Sequence, residues 1–247
     1  MKLINLPNSL TLVNLFAGCL AIVFIFSPGH LEYVGYCTLV SLVADYFDGF
    51  AARFTNTKTE IGKELDSLAD MVSFGLVPGA ILFSLLSFHF KSVSTNENEM
   101  QVIWSSAPAF LITLFSALRL AKFNLDTRQS DGFIGLATPA NTIFVVGILE
   151  VFLHNQYGLS ETILSPAFLF GITLAFSYLL IAEIPMFAFK FKSFGWAGNE
   201  IRYVFIIVSL LLLGVLKFAA LSAIIVLYIL TSVILFFYQK TKSISEK

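Results

Sequence analysis

A chain of 247 residues that is 57% hydrophobic, holds 27 phenylalanines and is only 13% charged has too little polar surface to stay dissolved as a globular domain. Its mean hydropathy of +0.84 points the same way, to an all-α integral membrane protein. A formal net charge of −1 speaks against a nucleic-acid partner.

A helix needs about 20 apolar residues to cross the hydrocarbon. Eight such runs follow one another, at roughly 8–27, 33–53, 64–90, 102–124, 138–155, 164–189, 202–217 and 218–239. The last two abut at Lys217, so six or seven spans is the alternative count. Lys2 ahead of the first run imitates a signal peptide. No A-x-A-like cleavage site follows, and the run is long enough to span, so it is expected to stay in the mature protein. Cys19 and Cys37 fall inside apolar spans and read as packing residues. The polar stretch "KSVSTNENEM" (91–100) reads as a solvated outer connection, and neither a soluble domain nor an internal repeat is visible.

With both ends in the cytosol, 13 of the 15 basic residues fall on the inner side: Lys2, Arg53, Lys58, Lys63, Arg119, Lys122, Arg128, Lys190, Lys192, Arg202, Lys240, Lys242 and Lys247. Only Lys91 and Lys217 fall outside, which is the positive-inside pattern. The expected location is the cytoplasmic (inner) membrane.

Between the second and third runs lies "DYFDGFAARFTNTKTEIGKELDSLAD" (45–70), on the cytosolic side. Asp45 and Asp48 are three residues apart and Asp66 and Asp70 four apart, so each pair shares a helix face. At 1.5 Å per residue Asp45 lies about 12 Å back along its helix from Arg53, below the membrane surface. Carboxylates at that depth are costly and usually functional. The plainer alternative is a set of interfacial charges paired with Arg53, Lys58 and Lys63. Converging carboxylates repel unless a cation neutralises them, and oxygen ligands alone suit Mg²⁺, Mn²⁺ or Ca²⁺. Zinc is disfavoured, because His30, His89 and His154 all map to the outer side. An EF-hand would alternate its ligands, and "IGKE" lacks the upstream Gly and following Ser/Thr of a P-loop.

The spacing Asp45-x2-Asp48-Gly49-x2-Ala52-Arg53-x8-Gly62-x3-Asp66-x3-Asp70 resembles the signature of the class I CDP-alcohol phosphatidyltransferases. The resemblance implies a six-helix core over about residues 5–190, with the last two spans and a basic tail outside it (191–247). It implies transfer of a phosphatidyl group from a CDP-activated lipid to an alcohol, with release of CMP. By similarity Asp45, Asp48, Asp66 and Asp70 bind metal, expected as two ions, and Asp70 also serves as the base. Gly49, Ala52, Arg53, Thr59 and Gly62 are implied contacts of the CDP-lipid, and a homodimer is implied. Four of these contacts have a plainer alternative: helix packing for Gly49 and Gly62, an ion pair for Arg53, a loop cap for Thr59.

Four further stretches resemble the branch of that family whose donor is CDP-diacylglycerol and whose acceptor is L-serine: "LPNSLTLVNLFAG" (6–18), "SFGLVPGA" (73–80), "ALRLAKFN" (117–124) and "FIGLATPA" (133–140). The last carries Ala137 where many relatives have Pro. Asn8 and Thr11 match nucleotide-contact positions, helix capping being the alternative for Asn8. Arg119 and Lys122, one turn apart at the inner end of the fourth span, are candidates for the lipid phosphate or the serine carboxylate, against simple anchoring by positive charge. Pro78 is expected to kink the third span. Glu183, near the inner end of the sixth, is an unassigned polar residue that lines the acceptor pocket or is incidental. Glycerol 3-phosphate or inositol as acceptor, and a cation transporter, are the competing readings.

Overall fold

The computed structural model describes residues 4–55, 59–93, 98–126, 133–187, 195–196 and 198–245. Lys2, Lys58, Arg128, Lys190, Lys192 and Lys247 lie outside the described residues.

The described chain is almost entirely helical. Helix α1 (Leu6–Ile25) begins where Asn5 accepts the Asn8 amide at 2.8 Å, with Pro7 in the first turn. The cap is therefore Asn5, and Asn8 is a buried residue within the helix. A proline in the first turn loses no bond the helix would have made, so the cap belongs just ahead of it. Helix α2 (Tyr33–Phe54) carries Asp45, Asp48 and Arg53 toward its end. The segment Glu60–Val93 is one helical column in three parts: α3 (Glu60–Asp70), a π-helical stretch (Met71–Leu76) and α4 (Val77–Val93). A second column joins α5 (Glu99–Ser106) through a 3₁₀ turn to α6 (Leu111–Leu125). Then come α7 (Thr138–Leu153), the short α8 (Ser160–Leu164), α9 (Pro166–Ile181), α10 (Glu200–Leu216) and α11 (Ala219–Ser245). At the junction of the last two, Lys217 takes φ 49° and ψ −121°, which no α-helix continues. The abutting runs are thus separate helices.

Four helical columns are long and apolar enough to cross a membrane: Leu6–Ile25, Glu60–Val93, Glu99–Leu125 and Ala219–Tyr238. Helices α7 and α9 are apolar but shorter, at 16 residues each. The protein is an all-α membrane protein.

Pro78 does distort its column, and the distortion is specific. Without an N–H, Pro78 leaves the Phe74 carbonyl without its α-helical donor. Thr142 Oγ1 on α7 sits 3.0 Å from that carbonyl, and Thr113 Oγ1 on α6 donates to the Gly75 carbonyl at 2.9 Å. Two neighbouring helices thereby satisfy the π stretch, which begins one residue after Asp70.

The core is centred on α4, whose Ile81, Leu82, Leu85 and Leu86 are buried against Val145 and Leu149 of α7 and Leu169 of α9. Phe144 and Phe176 stack at 4.0 Å between α7 and α9. Helix α11 lies on α7 at close range, since a Cβ on Gly147 would come within 2.8 Å of the Ser222 nitrogen. Small residues allow such approach where lipid gives no hydrophobic drive to helix pairing. Cys37 packs partly against the core, whereas Cys19 is exposed on α1 and is not part of that core.

The one sheet among the described residues is a ribbon of two-residue strands. In it β1 (Phe133–Ile134) runs antiparallel to β2 (Pro185–Met186), pairing Phe133 with Met186 and Ile134 with Pro185. It sits where α6 ends, α7 begins and α9 ends.

Candidate active site

Both aspartate pairs arrive at one place because α1 lies against both α2 and α3. Asp45, Asp48 and Asp66 offer carboxylate oxygens within 4.8 Å of one another. Asp48 is buried, and Thr11 Oγ1 donates to its Oδ2 at 2.6 Å. Asp70, one turn beyond Asp66, accepts from Asn14 Nδ2 at 3.3 Å. Asn14 is wholly buried, and its carbonyl receives the hydroxyls of Ser41 at 3.1 Å and Ser73 at 3.0 Å. That tie joins α1, α2 and the π stretch directly behind Asp70.

The donor set fits a hard divalent cation. The ligand atoms are carboxylate oxygens only, and Asp66 Oδ1 is buried with no hydrogen-bond partner. Among the described residues no Lys or Arg reaches ion-pair distance of any of the four aspartates. The alternative of interfacial pairing therefore fails for two of its three cations. Arg53 is exposed with no carboxylate beside it, and Lys63 donates to the Asn124 carbonyl at 3.1 Å. His30 lies in the connection after the far end of α1, His89 near the far end of α4, and His154 follows the far end of α7.

Beside the aspartates opens a cleft of about 430 Å³. Helix α1 contributes Asn8 and Thr11, α2 contributes Asp48, Gly49 and Ala52, and the start of α3 contributes Thr59, Gly62 and Asp66. Six uncharged residues thus face one space with the two aspartates, while Arg53 does not line it. The two glycines differ. A Cβ on Gly49 would meet nothing within 4 Å, so no packing demand explains it. A Cβ on Gly62 would come 3.0 Å from Thr59 Oγ1 and 3.1 Å from Asn8 Oδ1, so its bareness lets two polar side chains close in. Thr59 also caps α3, accepting the Gly62 amide at 3.1 Å.

Arg119 and Lys122 lie on α6 beyond the cleft. Lys122 is ion-paired with Glu183, which accounts for one contact of that polar residue. Arg119 is buried rather than spread into an interface, so anchoring by surface charge does not describe it. Its Nε donates to the Leu136 carbonyl at 2.9 Å, and its guanidinium lies 5.0 Å from the Phe123 ring centre and 6.0 Å from that of Phe133. Its two terminal nitrogens have no partner among the described residues. Asp70 is its principal carboxylate neighbour, beyond ion-pair distance. The planar guanidinium edge has the geometry that pairs with carboxylates or phosphates.

Sequence reasoning missed Asn14, Lys63, Glu60 and Pro7, of which the last three line the cleft. A signal existed for Asn14: it is three residues from Thr11, on the same face of an apolar helix, where a polar side chain is expensive.

A family model of the CDP-alcohol phosphatidyltransferases matches residues 4–211, and the chain belongs to that family. Within it, the chain is 33% identical over 245 residues to the CDP-diacylglycerol–serine O-phosphatidyltransferase of Helicobacter pylori strain J99, a match covering 98% of this chain and 94% of the relative. It is 33% identical over 156 residues to the enzyme of that name from Methanocaldococcus jannaschii, covering 63% of this chain and 65% of the relative. With the one from Bacillus subtilis the identity is 28% over 186 residues, covering 75% and 91%.

Proposed function

We propose that the protein transfers the phosphatidyl group of CDP-diacylglycerol to L-serine, giving phosphatidylserine and CMP. The observation that carries this is the convergence of Asp45, Asp48 and Asp66 within 4.8 Å, with Asp70 one turn on, at the edge of a cleft of about 430 Å³. The near-full-length likeness to serine O-phosphatidyltransferases supports the acceptor.

In this reading Asp45, Asp48, Asp66 and Asp70 hold two divalent ions, Mg²⁺ or Mn²⁺. When bound, they supply charge neutralisation around the diphosphate and the in-line phosphorus centre. Asn8, Thr11, Gly49, Ala52, Thr59 and Gly62 seat the cytidine end of the donor, with the open space over Gly49 admitting it close to the α2 backbone. Arg53, exposed at the end of α2, meets the donor from outside the cleft. Asp70 takes the proton of the serine hydroxyl, whose oxygen bonds to the diacylglycerol-bearing phosphorus as the bond to CMP breaks and CMP leaves with the electron pair. Asn14 keeps the Asp70 carboxylate turned toward that hydroxyl. The outer fork of Arg119 takes the serine carboxylate, and Lys122 is neutralised by Glu183 rather than offered to the acceptor. One unmatched cation suits a zwitterion better than glycerol 3-phosphate, which brings close to two negative charges, or neutral inositol, which needs none.

The reading extends to the membrane. The columns α1, α2, α3–α4, α5–α6, α7, α9, α10 and α11 make eight spans, residues 1–190 form the catalytic core, and the site and both termini face the cytosol of an inner membrane. Two chains form a homodimer.

The test is the lipid made by purified protein from CDP-diacylglycerol with Mg²⁺ or Mn²⁺ and L-serine, glycerol 3-phosphate or inositol supplied singly. Phosphatidylserine with serine alone is expected. Phosphatidylglycerophosphate or phosphatidylinositol without phosphatidylserine overturns the acceptor and leaves the transfer chemistry standing.

A further inference from the structure

Arg119 is held by two features of the ribbon. The ring of Phe133, on β1, lies against the guanidinium, and the carbonyl of Leu136, just past β1, receives its Nε. Strands of two residues are too short to keep a register by themselves. Something must hold β2 in place.

On the side of β1 the end of α9 and the link that follows it do this. The Gly135 amide donates to the Ile184 carbonyl at 2.9 Å and the Leu136 amide to the Leu179 carbonyl at 2.8 Å. Gly135 itself has φ +78°, and a Cβ there would come 2.7 Å from the Leu180 carbonyl. On the side of β2 the support comes from α11. Tyr228 Oη donates to the Phe187 carbonyl at 3.1 Å, and the Phe187 amide donates to Ser232 Oγ at 3.3 Å. Ser232 Oγ in turn donates to the Tyr228 carbonyl at 2.8 Å, closing a clamp around the residue that follows β2. The Phe187 ring sits 5.0 Å from that of Tyr228 and 5.3 Å from that of Phe205 on α10, so both C-terminal helices meet there. The clamp has a firm base, because Ser222 Oγ donates to the Phe144 carbonyl of α7 at 2.8 Å where the two helices touch.

We propose that Tyr228 is a positioning residue for the acceptor: α11 grips Phe187, Phe187 fixes the ribbon, and the ribbon aims the Arg119 fork. This gives the two helices outside the catalytic core a task in acceptor selection. It rests on the reading of Arg119 as the cation for the serine carboxylate. Tyr228 touches no reacting atom, and its effect is read in how well Arg119 is presented.

The experiment uses the full chain in lipid nanodiscs with CDP-diacylglycerol and Mn²⁺, titrating L-serine. Tyr228→Phe loses the hydrogen bond to the Phe187 carbonyl, so the serine KM rises about three- to tenfold, while kcat and the CDP-diacylglycerol KM stay within twofold. Ser232→Ala shifts the serine KM in the same direction. In an Arg119→Lys background, where the fork is gone, Tyr228→Phe adds nothing further to the serine KM. A purely structural role would not show that loss of additivity. A serine KM unmoved in both single variants overturns the proposal. So does a Tyr228 effect undiminished beside Arg119→Lys, or one spread equally over kcat and the donor KM. If Arg119→Lys leaves the serine KM unchanged, the assignment of Arg119 fails instead. If that variant binds CDP-diacylglycerol but turns over no serine, the assignment stands, and the split between KM and kcat in the two single variants decides for Tyr228.

Discussion

Thr11→Val tests the link between the nucleotide cleft and the aspartates. Valine keeps the shape of threonine and replaces its hydroxyl by a methyl. That hydroxyl has one proton and two acceptors in reach, the Asp48 carboxylate at 2.6 Å and the Pro7 carbonyl at 3.1 Å. The shorter, charge-assisted contact takes it. A hydrogen bond to a charged group is worth about 1.5–3 kcal/mol, and Thr11 and Asp48 are both buried, so water does not replace what is lost. Asp48 shares its cluster with Asp45 and Asp66, so a loosened carboxylate shows first as weaker metal binding, by about 10- to 100-fold. The assay is the rate of phosphatidylserine formation against Mn²⁺ and Mg²⁺ concentration at saturating lipid and serine. The half-saturating metal concentration should rise by that factor, with most of the maximal rate regained at high metal. An unchanged metal dependence in a folded Thr11→Val protein refutes the reasoning. It would place the hydroxyl's importance in the nucleotide alone.

Three further outcomes are expected. Asp45→Asn, Asp48→Asn and Asp66→Asn should each abolish turnover; Asp70→Asn should fall below about a tenth of the normal rate yet still bind CDP-diacylglycerol, as positioned proton transfer is worth about 100-fold or more. Gly49→Ala, whose methyl meets nothing in the protein, should keep its melting temperature and lose donor affinity, whereas Gly62→Ala, pressed at 3.0 Å by Thr59 and 3.1 Å by Asn8, should lose both. In a background lacking Cys19 and Cys37, a membrane-impermeant thiol reagent on intact cells should label Glu99→Cys and spare Leu125→Cys; the reverse would invert the orientation.

The parts of this protein that the sequence displays plainly are those written locally. Asp45, Asp48, Asp66 and Asp70 share faces by helical spacing alone, and most of the apolar runs mark their helices closely, except that the run 164–189 continues past the end of α9 at Ile181 into the strand at Pro185–Met186. Asn5 as the cap of α1 is legible too, since Pro7 in the first turn points to it rather than to Asn8. The break at Lys217 was visible only as two runs touching. Other features join residues far apart in the chain and leave no local trace. Asn14 meets Asp70 across 56 positions, Lys122 meets Glu183 across 61, and Thr142 reaches the Phe74 carbonyl across 68. The burial of Arg119 is of this kind. Its helix reads as an inner terminus with a surface cation, and only the ribbon, whose strands are too short to show a periodicity, reveals that it is covered.

The π-helical stretch Met71–Leu76 has a consequence for how this helical column tolerates change in length. A π turn accommodates one residue more than the α-helix around it needs. Removing one residue from within the stretch would therefore bring the column closer to plain α-helix with its two ends facing nearly as before. In an α-helix each residue advances the face by about 100°. A residue removed from the first turn of α4 has no such slack to draw on. With the rest of α4 locked in the core, Asp66 and Asp70 would then swing about a quarter-turn away from Asp45 and Asp48. The column thus has one place where the loss of a residue leaves the four carboxylates together, and α-helical turns beside it where the same loss would part them.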